Sequence, residues 1–153
     1  MELTEKVLEY WNSYLSTLSE KLINPKVEVG IPGDDAIADQ LVSLYLNGKK
    51  TAASGLIRDY ELEGEELPKV GDIWIVLDSK KQPRCIVKTL RVEIHRFDQI
   101  TQEIAIAEGE GDLSIEYWRK AHIDFFTPYL EEWGIADLDK EQVVTEFYEV
   151  VFK

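Results

Sequence analysis

Cysteine and histidine are scarce in this sequence, and several kinds of site are excluded with them. Cys85 is the only cysteine among 153 residues and there are two histidines, so neither an intramolecular disulfide nor a standard structural zinc site is expected. No apolar run approaches the roughly 20 residues that cross a bilayer, and the N-terminal segment lacks the basic-then-apolar order of a signal peptide. We therefore expect a cytoplasmic protein that uses no metal and no other cofactor.

Positive charge is also in short supply. The sequence has 17 Lys and Arg residues against 30 Asp and Glu residues, which gives a formal net charge of −13. Binding along a phosphate backbone releases counterions and needs clustered cations. We therefore expect neither bulk DNA nor an anionic membrane as a partner, and any contact with nucleic acid has to be local, through one cationic pocket.

Apolar and aromatic residues are plentiful by contrast. They make up 44% of the chain and include 4 Trp, 7 Tyr and 5 Phe, which is enough to close a hydrophobic core and excludes disorder over most of the chain. The length favours one domain over residues 1–153.

Hydrophobic spacing predicts an α+β fold. Helices are expected at 4–23, at about 36–47, in a short form within 97–107, and at 115 to about 133, where Pro128 would kink or divide the helix. Residues 27–33 are interpreted as a connector. Strand patterns at 73–77 and 84–94 predict a hairpin, and 143–152 a terminal strand. Since helices and strands do not alternate regularly, a parallel βαβ fold is disfavoured, and the strands could curl into a small barrel.

Four stretches occur in an order that resembles the ASCH domain. They are Gly48-Lys49-Lys50-Thr51 after a helix, Leu67 to Asp72 before a strand, Ala107 to Asp112 before a helix, and Ser114 to His122 within that helix. The resemblance spans about residues 34–153 and leaves 1–33 as an extra N-terminal helix and connector. It implies a small β-barrel similar to PUA domains, flanked by helices, with a cleft for RNA or a nucleoside.

Some members of that family hydrolyse the amide of acetylated cytidine, and the resemblance carries their proposed catalytic set onto this chain. The lysine falls on Lys50, and the glutamate falls on Glu110, with Glu108 as the alternative. The threonine falls on Ala53, so its hydroxyl is missing here.

The chemistry of these residues can be considered on its own terms. A lysine facing a carboxylate across a pocket could polarise a carbonyl and transfer protons. Adjacent strand residues point to opposite faces, so only one of Lys49 and Lys50 should face the cleft, and the family match selects Lys50. By the same alternation Thr51 shares the face of Ala53, whereas Ser54 would need a bulge to do so.

Further side chains are candidates for binding a ligand. Arg58 and Tyr60 follow the Lys50 segment and suit a phosphate or a nucleobase. Glycines around Glu110 let the backbone approach a ligand closely, while the acidic residues there lack the spacing of a calcium loop. His122 is interpreted as a packed helix residue and Cys85 as a small buried hydrophobe.

The sequence therefore predicts a module that binds a nucleoside, a nucleotide or a short RNA. Two alternatives are an amidohydrolase acting on acylated cytidine-like substrates and a protein–protein adaptor with a vestigial pocket. A homodimer is left open. The candidate catalytic residues are Lys50, Glu110, Thr51 and Ser54, and the candidate ligand-binding residues are Lys49, Arg58, Tyr60 and Glu108.

Overall fold

The computed structural model describes residues 3–153. Met1 and Glu2, the first two residues of the N-terminal segment 1–33, lie outside the described residues. The α-helices in this range are α1 (Glu5–Ser16), α2 (Ala38–Leu46), α3 (Ile57–Glu63), α4 (Gln102–Glu108) and α5 (Ile115–Phe126). The strands are β1 (Val27–Gly30), β2 (Ala52–Leu56), β3 (Ile73–Leu77), β4 (Pro83–Arg96) and β5 (Gln142–Phe152). Short 3-10 turns occur at Phe97–Gln99, Thr127–Tyr129 and Leu138–Lys140.

All five strands form one curled sheet in the order β1-β3-β4-β5-β2. β1 pairs with β3 in parallel, and the other neighbours are antiparallel. Register shifts lie at 86/87 and 89/91 along the β4–β5 ladder, where bulges bend a strand and increase its twist. The predicted α+β class is confirmed, and the sheet is a half-barrel with β1 and β2 at its edges.

Helices cover the two faces of the sheet, as the alternation of strand side chains requires. Along β3, Ile73 and Ile75 pack against Val7 and Tyr14 of α1. Val76, the residue after Ile75, points the other way and packs with Val42 and Tyr45 of α2, next to the free Cys85. Burial raises the pKa of the Cys85 thiol to about 11, so this cysteine behaves as the small hydrophobe that the sequence predicts.

The β2 edge carries the remaining core. Ala52 and Leu56 lie on one face of β2 and pack with Ile104 and Ala105 of α4 and with Trp118 of α5. This packing brings the end of α4 beside the start of β2, and the consequences for Lys50 are described below.

Several predicted boundaries differ from the structure. Residues 27–30 form strand β1 instead of a connector, because they pair with residues 73–76. Helix α1 begins after Thr4, whose hydroxyl accepts from the Val7 amide, but it ends at Ser16. There the Thr17 hydroxyl donates to the Tyr14 carbonyl, and such bonds compete with helix continuation.

At the other boundaries, α2 begins at Ala38 instead of about 36, and α3 was not predicted. Pro128 ends the long predicted helix by opening a 3-10 turn, since proline lacks the amide that the helix would need. Within residues 3–153, no helix is both long enough and apolar enough to span a membrane.

Candidate functional site

Lys50 lies where three segments meet. Its amide donates to the Leu44 carbonyl of α2 at 3.0 Å, and the next amide, of Thr51, donates to the Ala107 carbonyl of α4 at 2.6 Å. These main-chain bonds fix the lysine between the end of α2, the start of β2 and the end of α4. Lys50 is 4% exposed, whereas Lys49 is exposed, so the lysine that points inward is the one that the family match selects.

Two carboxylates meet the Lys50 ammonium. Its Nζ lies 3.2 Å from Oε2 of Glu110 and 3.4 Å from Oε1 of Glu108. The Glu110 side chain is 29% exposed and the Glu108 side chain only 4%. The two candidate glutamates therefore occupy one cluster with Lys50, and Glu110 is the one that solvent or a ligand can reach.

Glu108 is held by donors on every side. Its Oε2 accepts from the Ser54 hydroxyl at 2.8 Å and from the indole N–H of Trp118, and its Oε1 lies 3.5 Å from Nε2 of His122. Burial raises the pKa of Glu108, but the electrostatic effects of His122 and of the Lys50 ammonium, with hydrogen bonds from His122 and Trp118, outweigh it and hold this pKa at about 2. Glu108 is thus a permanent anion at neutral pH that positions Lys50.

The glycines around Glu110 are required by close contacts. Gly109 has φ +70°, and a Cβ there would lie 2.1 Å from the Lys49 carbonyl oxygen. Gly111 has φ +60°, and a Cβ there would lie 2.4 Å from the Tyr117 ring. Both positions need a left-handed conformation and an absent side chain. Gly109 lets the acidic loop dock on the lysine segment, and Gly111 makes room for the Tyr117 ring.

His122 joins the cluster from α5. Its ring stacks on Trp118 one turn earlier, with 3.9 Å between ring centroids, as the i, i+4 spacing on a helix allows. Nδ1 lies 2.8 Å from the Trp118 carbonyl oxygen, and because a carbonyl only accepts, Nδ1 carries a proton. Its interpretation as a packed helix residue is incomplete, since His122 also faces Glu108 and lines the pocket described next.

A pocket of about 340 Å³ opens over this cluster. Lys50, Ser54 and Glu108 form its floor, and α2 and α5 form its walls. Its size falls within the roughly 300–1,000 Å³ typical of small-molecule sites. The wall residues are Ile37, Gln40 and Leu41 on the α2 side and Tyr117, Ala121, His122 and Phe125 on the α5 side.

Three of the candidate ligand-binding residues do not line this pocket. The expectation that Arg58 lines this cleft is wrong: its guanidinium pairs with Glu141 at 2.6 Å. The cause is strand pairing, because Leu56 at the end of β2 lies opposite Val143 of β5 and so brings residue 58 beside residue 141. Lys49 and Tyr60 are not among the residues that line the pocket.

Of the two candidate hydroxyls, that of Ser54 lies in the pocket and that of Thr51 does not. Thr51 precedes β2, and its hydroxyl donates to the Ala107 carbonyl outside the pocket. Ser54 shares the face of Ala52 and Leu56, and this face turns toward Glu108. The expectation that Thr51 is the better-placed substitute for the family threonine is therefore wrong, because the side chain of Ser54 needs no bulge to reach the pocket floor.

A second pocket of about 190 Å³ lies on the concave face of the half-barrel. Ala53 and Trp74 border both pockets. Burial raises the pKa of Glu146 on β5, the nearby Asp72 and Glu28 raise it further, and hydrogen bonds from Tyr148 and Thr89 oppose the change. The residues that line this pocket include Glu28, Ala53, Trp74, Thr89, Glu146 and Tyr148, so all five strands contribute, together with Lys26, Tyr60 and Asp72.

No group of three or more His, Cys, Asp and Glu side chains in residues 3–153 has the arrangement of a metal site.

Comparison with known proteins connects this geometry to a family. The family model described as ASCH domain matches residues 28–152. The structure is similar to that of an ASCH domain from Lactobacillus crispatus JV V101, with a TM-score of 0.91 and 28% sequence identity over 99% of this chain and 97% of that one. It is also similar to a protein from Enterococcus faecalis V583, with a TM-score of 0.83 and 29% identity over 97% and 89% of the two chains. Among curated proteins, none matches the sequence.

Proposed function

Because the chain belongs to the ASCH domain family, we propose that the pocket over Lys50 binds a ligand that contains a nucleobase. This family is associated in general with RNA binding. The observation that carries the proposal is the Lys50–Glu110 pair at 3.2 Å on the floor of a pocket with aromatic walls. Burying an ammonium costs several kcal/mol unless partners compensate. A fold that keeps this charge beside a cavity is consistent with a role in recognition.

The walls suit a flat ring. Tyr117 and Phe125 line one side, and each is 41% exposed, so a base could stack on them without displacing the core. Aromatic side chains that stack unpaired bases are the usual means by which proteins hold single nucleotides. Ile37 and Leu41 of α2 supply an apolar surface opposite them.

The polar groups suit the edge of a base. Glu110 offers carboxylate oxygens, and the exposed Gln40 at the α2 wall offers both a donor and an acceptor. A nucleobase edge presents donors and acceptors side by side, so it matches such a pair.

The test is binding of the four common ribonucleosides, measured by saturation-transfer NMR and by titration calorimetry. Tyr117→Ala should weaken binding on the order of tenfold, since stacking contributes about 1–3 kcal/mol per base. Glu110→Gln should weaken binding and change the preference among bases. Lys49→Ala and Arg58→Ala are matched controls outside the pocket and should leave affinity unchanged. Absence of binding by every nucleoside, or equal losses in the controls, would refute the proposal.

A second candidate function is hydrolysis of an acylated base, and the position of Glu110 favours it. Its carboxylate both touches Lys50 and reaches solvent. It could take a proton from water, while Lys50 turns one N–H from Glu110 to the substrate and so polarises the amide carbonyl. Water would add its oxygen to the acyl carbon and the carbon–nitrogen bond would break, and the departing amine would take the proton that Glu110 had removed from water.

Incubation with acetylcytidine distinguishes the two functions. Release of cytidine and acetate that is abolished by Glu110→Gln and by Lys50→Ala, but kept by Lys49→Ala, supports hydrolysis. Binding of acetylcytidine without turnover leaves a recognition module and rejects the enzyme.

A further inference from the structure

We propose that the Lys50 pocket selects the uncharged nucleoside over its phosphorylated forms, including RNA. This inference rests on the proposed function and specifies the chemical class of its ligand. It follows from how the positive charges around the pocket are already used.

The first step concerns the donors of Lys50 itself. An ammonium group has three N–H donors. Nζ of Lys50 lies within hydrogen-bond distance of three protein acceptors, the Glu108 carbonyl oxygen at 3.3 Å, Glu108 Oε1 at 3.4 Å and Glu110 Oε2 at 3.2 Å. A phosphate could bind this lysine only by displacing one of these three acceptors, and Glu108 is buried and held by the Ser54 hydroxyl and the Trp118 indole.

The second step concerns the other donors on the pocket floor. The Ser54 hydroxyl lies 2.8 Å from Glu108 and 2.7 Å from the Thr145 hydroxyl. Nδ1 of His122 is committed to the Trp118 carbonyl, and its Nε2 faces Glu108. The floor therefore presents carboxylate oxygens, and the nearby donors are already bonded to protein groups. A phosphate placed there would be repelled by Glu108 and Glu110.

The third step concerns the walls. Helix α2 contains no lysine or arginine between Ala38 and Leu46. On α5, Arg119 pairs with Asp139 and Lys120 pairs with Asp124, each at 2.6 Å. A phosphate that extends from the pocket along either wall would thus find Arg119 and Lys120 already paired with carboxylates. It would also be repelled by a chain with net charge −13.

The experiment compares one nucleoside with its 5′-monophosphate and with a dinucleoside monophosphate, titrated into the full chain at about 20 mM and about 300 mM salt. The nucleoside should bind more tightly than the monophosphate, on the order of fivefold at low salt. The difference should shrink at high salt, because the Debye length falls to several ångströms. A monophosphate or dinucleotide that binds as tightly as the nucleoside would overturn the inference, as would a difference that salt does not change.

Two variants with the same change in charge sharpen the test. Glu110→Gln removes one carboxylate from the pocket and should narrow the preference for the nucleoside. Glu132→Gln removes one exposed carboxylate outside the pocket lining and should leave the preference unchanged. Equal effects of the two variants would overturn selection by the pocket. If no nucleoside binds at all, the proposed function itself fails, which is a different result from loss of selectivity.

Discussion

Each of the two pockets is lined by a carboxylate that is at least partly buried, and the pKa values of these two carboxylates are shifted in opposite directions. Glu108 has donors or cations on every side, and its pKa falls to about 2. Glu146 lines the second pocket. Its burial, with the nearby Asp72 and Glu28, outweighs the hydrogen bonds from Tyr148 and Thr89, so its pKa rises. Burial therefore does not set the charge state of a carboxylate by itself, because the donors and charges that accompany it also decide.

The largest effect should come from removing the anion of the first pocket. Glu108→Ala leaves Lys50 with one carboxylate and removes an acceptor from Ser54 and Trp118, so we expect the free energy of unfolding to fall by about 3–5 kcal/mol. Urea denaturation measures it. Glu110→Ala is the control and should cost much less, because that side chain is 29% exposed. Similar losses for the two variants would contradict this account.

The next largest effect is a fall in the free energy of unfolding as the pH is lowered. The folded-state pKa of Glu108, about 2, lies below its ordinary value of 4.5, so the unfolded chain takes up a proton first as the pH falls. The stabilisation is complete above about pH 5 and is lost between roughly pH 5 and pH 2, by about 3 kcal/mol. Denaturation across this range should show the loss in the natural chain, and Glu108→Gln should flatten it. An equal slope in both chains would rule the mechanism out.

Gly109→Ala tests the first pocket without changing a charge. The new methyl group would lie 2.1 Å from the Lys49 carbonyl oxygen, at φ +70°, so either the acidic loop or the lysine segment has to move. We expect a cost of about 2 kcal/mol or more and weaker nucleoside binding. Gly64→Ala is the matched control, with φ +68° and no atom within 4 Å. It should cost only the strain of the left-handed backbone and leave binding intact.

The smallest effect should appear in the second pocket and with the opposite sign. Because the folded-state pKa of Glu146 is raised, its contribution favours the folded state below about pH 4.5 and is lost as the pH rises through the raised value. Glu146→Gln mimics the protonated form. It should therefore stabilise the protein by about 0.5–1 kcal/mol at pH 7 and by nothing near pH 4. A destabilised variant at pH 7 would show that the donors of Glu146 outweigh its burial.

The sequence is sufficient to predict the class of fold, whereas the inward lysine is selected only by the family match. Strongly periodic segments such as the β3–β4 hairpin and α5 can be identified from hydrophobic spacing. The pairing of Lys50 with Glu110 is implied by the family resemblance, which rests on the order of four motifs and not on any single residue pattern. Strand β1 was missed because it has four residues and pairs with a segment more than 40 positions away.

The errors at the site have two physical causes, the pairing of β2 with β5 and the position at which β2 begins. Arg58 is drawn away by Glu141, 83 residues later, and only the pairing of β2 with β5 places them together. The choice between Thr51 and Ser54 depends on where β2 begins, and strand ends are the boundaries that local patterns define least well. His122 was a weaker omission: its spacing from Trp118 already put both on one helix face, but nothing in the sequence identified Glu108 as the group they meet.

Ala53 and Trp74 give the two pockets a common partition. The Ala53 methyl group and the Trp74 indole line both the pocket over Lys50 and the second pocket, which contains Glu28, Asp72 and Glu146. A substitution at either position should therefore alter the shape of both pockets together. The size of the side chain at residue 53 thereby limits how far a molecule seated over Lys50 can extend into the half-barrel.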